Sequence, residues 1–247
     1  MAGTRYPYAC NAASKQLVAL FGALGEQGIL GFTPERALLE RSIQRCSTCA
    51  RDRPAKFCTG WITTIDPSVA TFAPVRVKGG RMVQPELAAT IDYSRAQPGV
   101  AEDWEAAPMQ ACVLALEILD TSGELLERHH IDLANALQDG PAWHLQYGGN
   151  SRNFPKPKTQ WLGPPRWAVP PADLALMLET VAFNFYYHKW QELNGDGNWL
   201  RAVKRAEDLS MRHYVERLAQ HFRRESDDRQ QTWLAMQDNA TWDPRPT

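Results

Sequence analysis

The stretch 109–131 constrains the fold more than any other. Met109–Leu119 is an apolar, partly β-branched run, Asp120-Thr121-Ser122-Gly123 has turn chemistry, and a second run follows to Ile131. Two such runs around a short turn read as a β-hairpin. Upstream, Trp61-Ile62-Thr63-Thr64-Ile65 has strand composition and stops at Asp66-Pro67-Ser68. Thr71 to Lys78 reads as its returning strand before Gly79-Gly80, so the middle of the chain is expected to be mostly β.

Helical periodicity appears on both sides of this region. Leu17, Val18, Leu20, Phe21 and Leu24 recur at helical spacing behind Ser14, read as an N-cap, until Gly25, Gly28 and Gly31 intervene. Thr33-Pro34-Glu35 then reads as N-cap, first-turn proline and early acid of a helix reaching about Arg45. Near the C-terminus, Pro171 sits where a helix can start, and Leu174, Met177, Leu178, Val181, Phe185 and Tyr186 make a broad apolar face up to Trp190. The turn Asn194-Gly195-Asp196-Gly197 precedes an amphipathic helix over 199–224, with a short helix expected at 228–237. Residues 140–172, rich in Gly and Pro, read as a long loop.

Five cysteines occur, and an odd number argues against a disulfide framework. Cys46-Ser47-Thr48-Cys49 has the spacing at which two thiolates bind one tetrahedral zinc ion, and Cys58 follows nine residues later. Cys10 is the natural fourth ligand, because Cys112 lies inside an apolar strand and reads as a small core residue. Arg45, Arg51, Arg53 and Lys56 would offset the charge of such a site. A redox pair or ordinary thiols are the competing readings. A closed four-cysteine site would be structural, since catalytic zinc keeps a position open. The expected architecture is thus α+β: a small zinc-binding helical lobe over 1–60, a β-hairpin-rich middle over 61–170 and a C-terminal helical bundle over 171–247.

Charge is unevenly placed. The whole chain carries −1, which argues against a free-standing basic nucleic-acid binder. Residues 1–60 hold 8 basic and 4 acidic side chains, whereas 61–139 hold 5 and 12. Residues 140–172 hold 4 basic side chains and no acid. There, cations alternate with aromatic rings, including Trp143, Tyr147, Phe154 and Trp167. Asn150, Arg152, Lys156, Lys158, Trp161 and Arg166 are the candidate nucleic-acid contacts, because cations neutralise phosphates while exposed rings stack on bases. Lys204 and Arg205 begin a second basic stripe on the last long helix, among interleaved acids. The alternative is a surface loop whose tryptophans plug the core.

No nucleophile elbow, Walker loop, HExxH or Rossmann glycine pattern is present. His129-His130 ends a predicted strand, but no carboxylate or cysteine spacing singles the pair out, so packed or exposed histidines are expected. No catalytic role is assigned. The chain opens without an apolar signal core and holds no run long enough to span a bilayer, so a cytoplasmic location is expected.

Gly31-Phe32-Thr33-Pro34-Glu35-Arg36-Ala37-Leu38-Leu39, Cys46-x-x-Cys49-Ala50 and Gly60-Trp61-Ile62-Thr63-Thr64 together resemble the zinc-finger region of the large subunit of type IV CRISPR-Cas effector complexes. The likeness covers about the first quarter of the chain. That family carries two CxxC pairs. Cys46 and Cys49 match the second; Cys10 stands near the first, with Ala13 in its partner's place and Cys58 as the replacement candidate. The resemblance implies a subunit without nuclease activity at one end of a crRNA-guided complex with backbone and end-capping subunits. It would contact the protospacer-adjacent motif on duplex DNA and help open it for an accessory helicase, while guide pairing reads the sequence. The alternatives are a guide-RNA-processing endoribonuclease of the same system and a zinc-stabilised adaptor that touches no nucleic acid.

Overall fold

The computed structural model describes residues 10–34, 36–37, 40–41, 70–92, 111–133, 143–147 and 167–223. Helix α1 spans Cys10–Glu26, so Ser14 lies inside it and does not cap it. A short helical segment follows from Pro34, capped as expected: Thr33 Oγ1 accepts from the Arg36 amide at 3.0 Å. The remaining elements are β1 (Ala70–Thr71), β2 (Val75–Arg76), β3 (Met82–Asp92), β4 (Ala111–Asp120), β5 (Leu125–Leu133), β6 (Trp143–Tyr147), β7 (Trp167–Ala168), α2 (Leu174–Phe185), α3 (Tyr187–Leu193) and α4 (Gly197–Arg223). The fold class is α+β.

Among the described residues all strand pairings are antiparallel, in the order β1-β3-β4-β5-β6-β7, with β2 also on β3. The β4–β5 hairpin forms where the sequence places it. Asp120 Oδ1 accepts from the Ser122 and Glu124 amides at 2.8 and 2.9 Å, and Gly123 supplies the positive φ of 83° that the turn requires.

The first hairpin differs from expectation. Residues 70–71 and 75–76 both pair with β3, and β2 reaches it through the turn in which Gly79 and Gly80 take φ of 95° and 83°. Trp61–Ile65 lies outside the described residues. Strand β3 itself has an alternating pattern, with Val83, Leu87, Ala89 and Ile91 facing the core, but Pro85 interrupts it. The proline is accommodated opposite the gap between β1 and β2. There its carbonyl accepts from the Phe72 backbone amide at 3.0 Å, and the side-chain Nε2 of neighbouring Gln84 donates to the Phe72 carbonyl at 3.1 Å.

Residues 140–172 are not one loop. Trp143–Tyr147 and Trp167–Ala168 extend the sheet, and Trp143 is buried in the core. The helix expected up to Trp190 is broken at Tyr186, whose φ and ψ of −127° and 43° separate α2 from α3. Its phenol donates to the Ala73 carbonyl, and its ring stacks near Phe72 at 6.2 Å between centroids. Asp173 caps α2, accepting from the Leu176 amide at 2.9 Å. The last long helix runs over 197–223, close to its expected bounds, and 228–237 falls outside the described residues.

One core joins these elements. Leu17, Leu20, Phe21 and Leu24 of α1, Leu174, Leu178 and Val181 of α2, and Trp199, Val203 and Ala206 of α4 pack with one face of β3 and β4. Described residues of all three expected segments contribute to it. Among the described residues, no helix is long and apolar enough to cross a membrane.

Candidate functional site

The structure places few of the sequence-predicted site residues. Cys10 opens α1; Cys46, Cys49 and Cys58 lie outside the described residues, as do Asn150, Arg152, Lys156, Lys158, Trp161 and Arg166. Among the described residues, no group of three or more His, Cys, Asp or Glu side chains is arranged to hold a metal ion. Cys112 is fully buried, and burial followed by the charge of Asp132 pushes its thiol well above the ordinary range.

Within the run that carries the family resemblance, Arg36 is a local tie. Its guanidinium donates to Glu40 at 2.8 Å and to the carbonyls of Gly31 and Phe21 at 3.1 and 3.3 Å, and lies over the Phe21 ring. These contacts fasten the segment after α1 to that helix, leaving Arg36 little freedom to meet a phosphate.

Lys204 and Arg205 are exposed, and α4 explains why. Trp199, Ala202, Val203 and Ala206 face the core, so residues offset by a third to a half turn of the helix face solvent. Arg201, Lys204, Arg205 and Arg212 all lie on exposed positions of this helix. Asp208 is shared between two of them: its Oδ2 accepts from Arg205 at 2.8 Å and its Oδ1 from Arg212. Exposed ion pairs of this kind contribute little stability and can be exchanged for a phosphate. Arg201, Lys204, Arg205 and Arg212 thus line the exposed side of α4, two of them held by Asp208 and Arg201 by Asn198.

The His129-His130 pair is divided by the sheet. Successive strand residues point to opposite faces, and His129 meets Tyr147 edge-on at 5.5 Å while His130 turns to the face away from the core. There it joins Asp132, His144, Gln146 and Arg128, each at most 6% exposed. Asp132 stands between two imidazoles. Its Oδ1 lies 3.1 Å from His130 Nε2 and its Oδ2 lies 3.6 Å from His144 Nε2. Beside them Arg128 donates to Glu117 at 2.5 Å across β4 and β5. Burial holds the His130 pKa below its usual value, opposed by Asp132 and reinforced by Arg128 and His144.

Contrary to the sequence expectation, a carboxylate spacing does single out one histidine. His130-x-Asp132 on β5 and His144-x-Gln146 on β6 are period-2 patterns that set four polar groups on one face. His144 is 0% exposed and His130 5%, so both rings are buried. The cluster is a polar clamp across three strands, of the kind that fixes register. Comparison of the chain with protein-family models, characterised proteins and solved structures finds no significant match.

Proposed function

We propose that the chain is the DNA-contacting large subunit of a type IV crRNA-guided effector complex, a binding subunit with no nuclease activity of its own. The resemblance over 31–64 supports the family reading. The observation that carries nucleic-acid contact is the strip of Arg201, Lys204, Arg205 and Arg212 on α4, whose arginines bond, among the described residues, to Asp208 and Asn198. The thiols of Cys10, Cys46, Cys49 and Cys58 have the donor chemistry of a structural zinc site. Asn150, Arg152, Lys156, Lys158, Trp161 and Arg166 supply further contacts to DNA in this reading. The guide-processing alternative would need two accessible acid–base groups, and burial of His130 and His144 disfavours that pair for the role.

Duplex binding across a salt series tests the reading on the purified chain and on the assembled complex. Replacing Lys204 and Arg205 by Gln should weaken binding and reduce the slope of log K against log salt by about 2, since each phosphate contact contributes about 0.9. An unchanged slope would exclude this face.

A further inference from the structure

The acidic middle of the chain gathers its cations in one place. Residues 61–139 hold 12 acidic side chains and 5 basic ones, Arg76, Lys78, Arg81, Arg95 and Arg128. Three of the five fall within 76–81, inside a run that carries no acid from Pro67 to Pro85. The structure makes this run the end of the β2–β3 hairpin, with Arg76, Lys78, Gly79, Gly80 and Arg81 all exposed. Arg128, by contrast, is buried against Glu117. Cations that serve solubility alone are interspersed with acids, so their concentration on one turn points to an anionic partner.

Register decides how these charges are presented. Arg76 lies opposite Met82, and Val75 lies opposite Val83, whose side chain is buried in the core. Successive residues alternate in face, so Arg76 is on the side of the ribbon away from the core. The Val77 amide donates to the Arg81 carbonyl at 2.9 Å, which sets Arg81 opposite Val77 and on the other face. Lys78 stands at the turn itself. The Gly80 amide closes that turn on the Val77 carbonyl at 3.0 Å, and Arg76 Nη1 donates to the Gly80 carbonyl at 3.3 Å. Gly79 and Gly80 supply the two positive φ angles, and a Cβ at Gly79 would meet nothing within 4 Å, so the tip is bare backbone facing open space. Asp120, opposite Val83, is the acid that register brings toward Arg81, and its Oδ1 is engaged by the Ser122 and Glu124 amides of its own turn.

We infer that the β2–β3 hairpin is a second contact to duplex DNA, a ribbon tip that enters the major groove with Arg76 and Arg81 reaching phosphates on its two walls and Lys78 between them. Cations on opposite faces of a thin ribbon fit an occupant that is anionic on two sides. An acidic protein surface would meet one face and leave the other cation without a counterpart, whereas a groove offers phosphates on both walls. Width selects the groove. Two paired strands stand about 4.8 Å apart before side chains are added, which suits the roughly 12 Å major groove and overfills the roughly 6 Å minor groove. Gly79 and Gly80 place no side chain between the tip and the base edges. The inference rests on the DNA-contacting reading and adds to it a second element, separate in sequence from α4, with a stated mode of entry.

The test is binding of a fluorescent, A·T-rich duplex of about 20 base pairs to the full-length chain, followed by anisotropy across a salt series. Arg76→Gln, Lys78→Gln and Arg81→Gln combined should weaken binding and lower the slope of log K against log salt by about 2–3, since each lost phosphate contact removes about 0.9. The thermal midpoint of this variant should match that of the unaltered chain, because the exchanged side chains are exposed. Arg76→Lys with Arg81→Lys keeps both charges and should keep the slope. The slope difference between the unaltered chain and the triple variant should persist on duplex saturated with netropsin, which fills the minor groove; its disappearance would overturn the major-groove assignment. If the triple variant keeps the full slope while Lys204→Gln with Arg205→Gln lowers it, the hairpin contact is overturned and the α4 reading stands. If the unaltered chain does not bind the duplex, both are overturned.

Discussion

Nε2 of His130 stands 3.1 Å from Oδ1 of Asp132, two residues further along the same strand and on the same face of the sheet. Burial favours the neutral imidazole and outweighs the attraction of the carboxylate, so the folded pKa lies below the unfolded value. The unfolded chain then binds more protons than the folded one as pH falls through about 6.5, and stability drops on the acid side. Between pH 7.5 and 5 this group pulls the chemical-denaturation midpoint down, against the opposite contribution of Asp173, so its effect is read as the difference between the unaltered chain and a His130 variant. His130→Gln should remove much of that slope while lowering stability at pH 7.5 by about 1–3 kcal/mol, through the altered buried contact with Asp132. A variant with the same slope as the unaltered chain would locate the dependence elsewhere.

Asp173 gives the opposite sign. It is buried at the start of α2, and burial raises its pKa to about 7 despite hydrogen bonds from the Leu176, Ala175 and Asp173 amides. The folded state favours the neutral acid, so the stability this group contributes is full below the unfolded value near 3.9 and is lost as pH rises through about 7. Asp173→Asn keeps an oxygen for the Leu176 amide and cannot ionise; it should gain relative to the unaltered chain above pH 7. Asp173→Ala should lose about 1 kcal/mol of capping at acidic pH, where ionisation plays no part. Denaturation midpoints of both variants at pH 5 and pH 8 separate the two effects. An Asn variant that tracks the unaltered chain at both pH values would refute the assignment.

What was legible in the sequence was local. Asp120-Thr121-Ser122-Gly123 specifies its own turn, and the spacing of Val203, Ala206 and Leu209 specifies a helix whose outer side carries Lys204 and Arg205. Strand β3 was hidden because Pro85 breaks an otherwise alternating run, and only the gap between β1 and β2 makes a proline tolerable there. The break at Tyr186 depends on Ala73, 113 residues away in sequence, which no local pattern reports. The polar clamp was missed for a related reason: His130-x-Asp132 becomes a pair only once His144 is brought alongside by β6.

The cysteine spacing predicts a metal content. Acid-released metal from the full chain should be about one zinc per chain, and Cys46→Ser with Cys49→Ser should abolish it, since two of four thiolates are then gone. Removing the metal with a chelator should lower thermal stability, because a structural site contributes its binding free energy to folding. Cys10→Ser and Cys58→Ser, compared singly, identify the remaining ligands: loss of metal marks a ligand, and full retention excludes one. Zinc content well under one in the unaltered chain would rule the site out.

Asp208 sets the readiness of the α4 strip. Its two oxygens hold Arg205 and Arg212, one turn apart on either side, and so cancel one of four positive charges and fix two of the four side chains. A phosphate must replace these contacts before it gains both guanidinium groups. Asp208→Asn removes the competing charge, and it should tighten oligonucleotide binding by about two- to tenfold at low salt. Exposed pairs of this kind are worth about 0.2–1 kcal/mol each, so fold stability should change little. The gain should shrink as salt rises, because screening weakens the repulsion that was removed. Weaker binding by Asp208→Asn would mean that the carboxylate orients the arginines for the ligand rather than competing with it. An equal gain at all salt concentrations would show that repulsion from this carboxylate is not what limits binding.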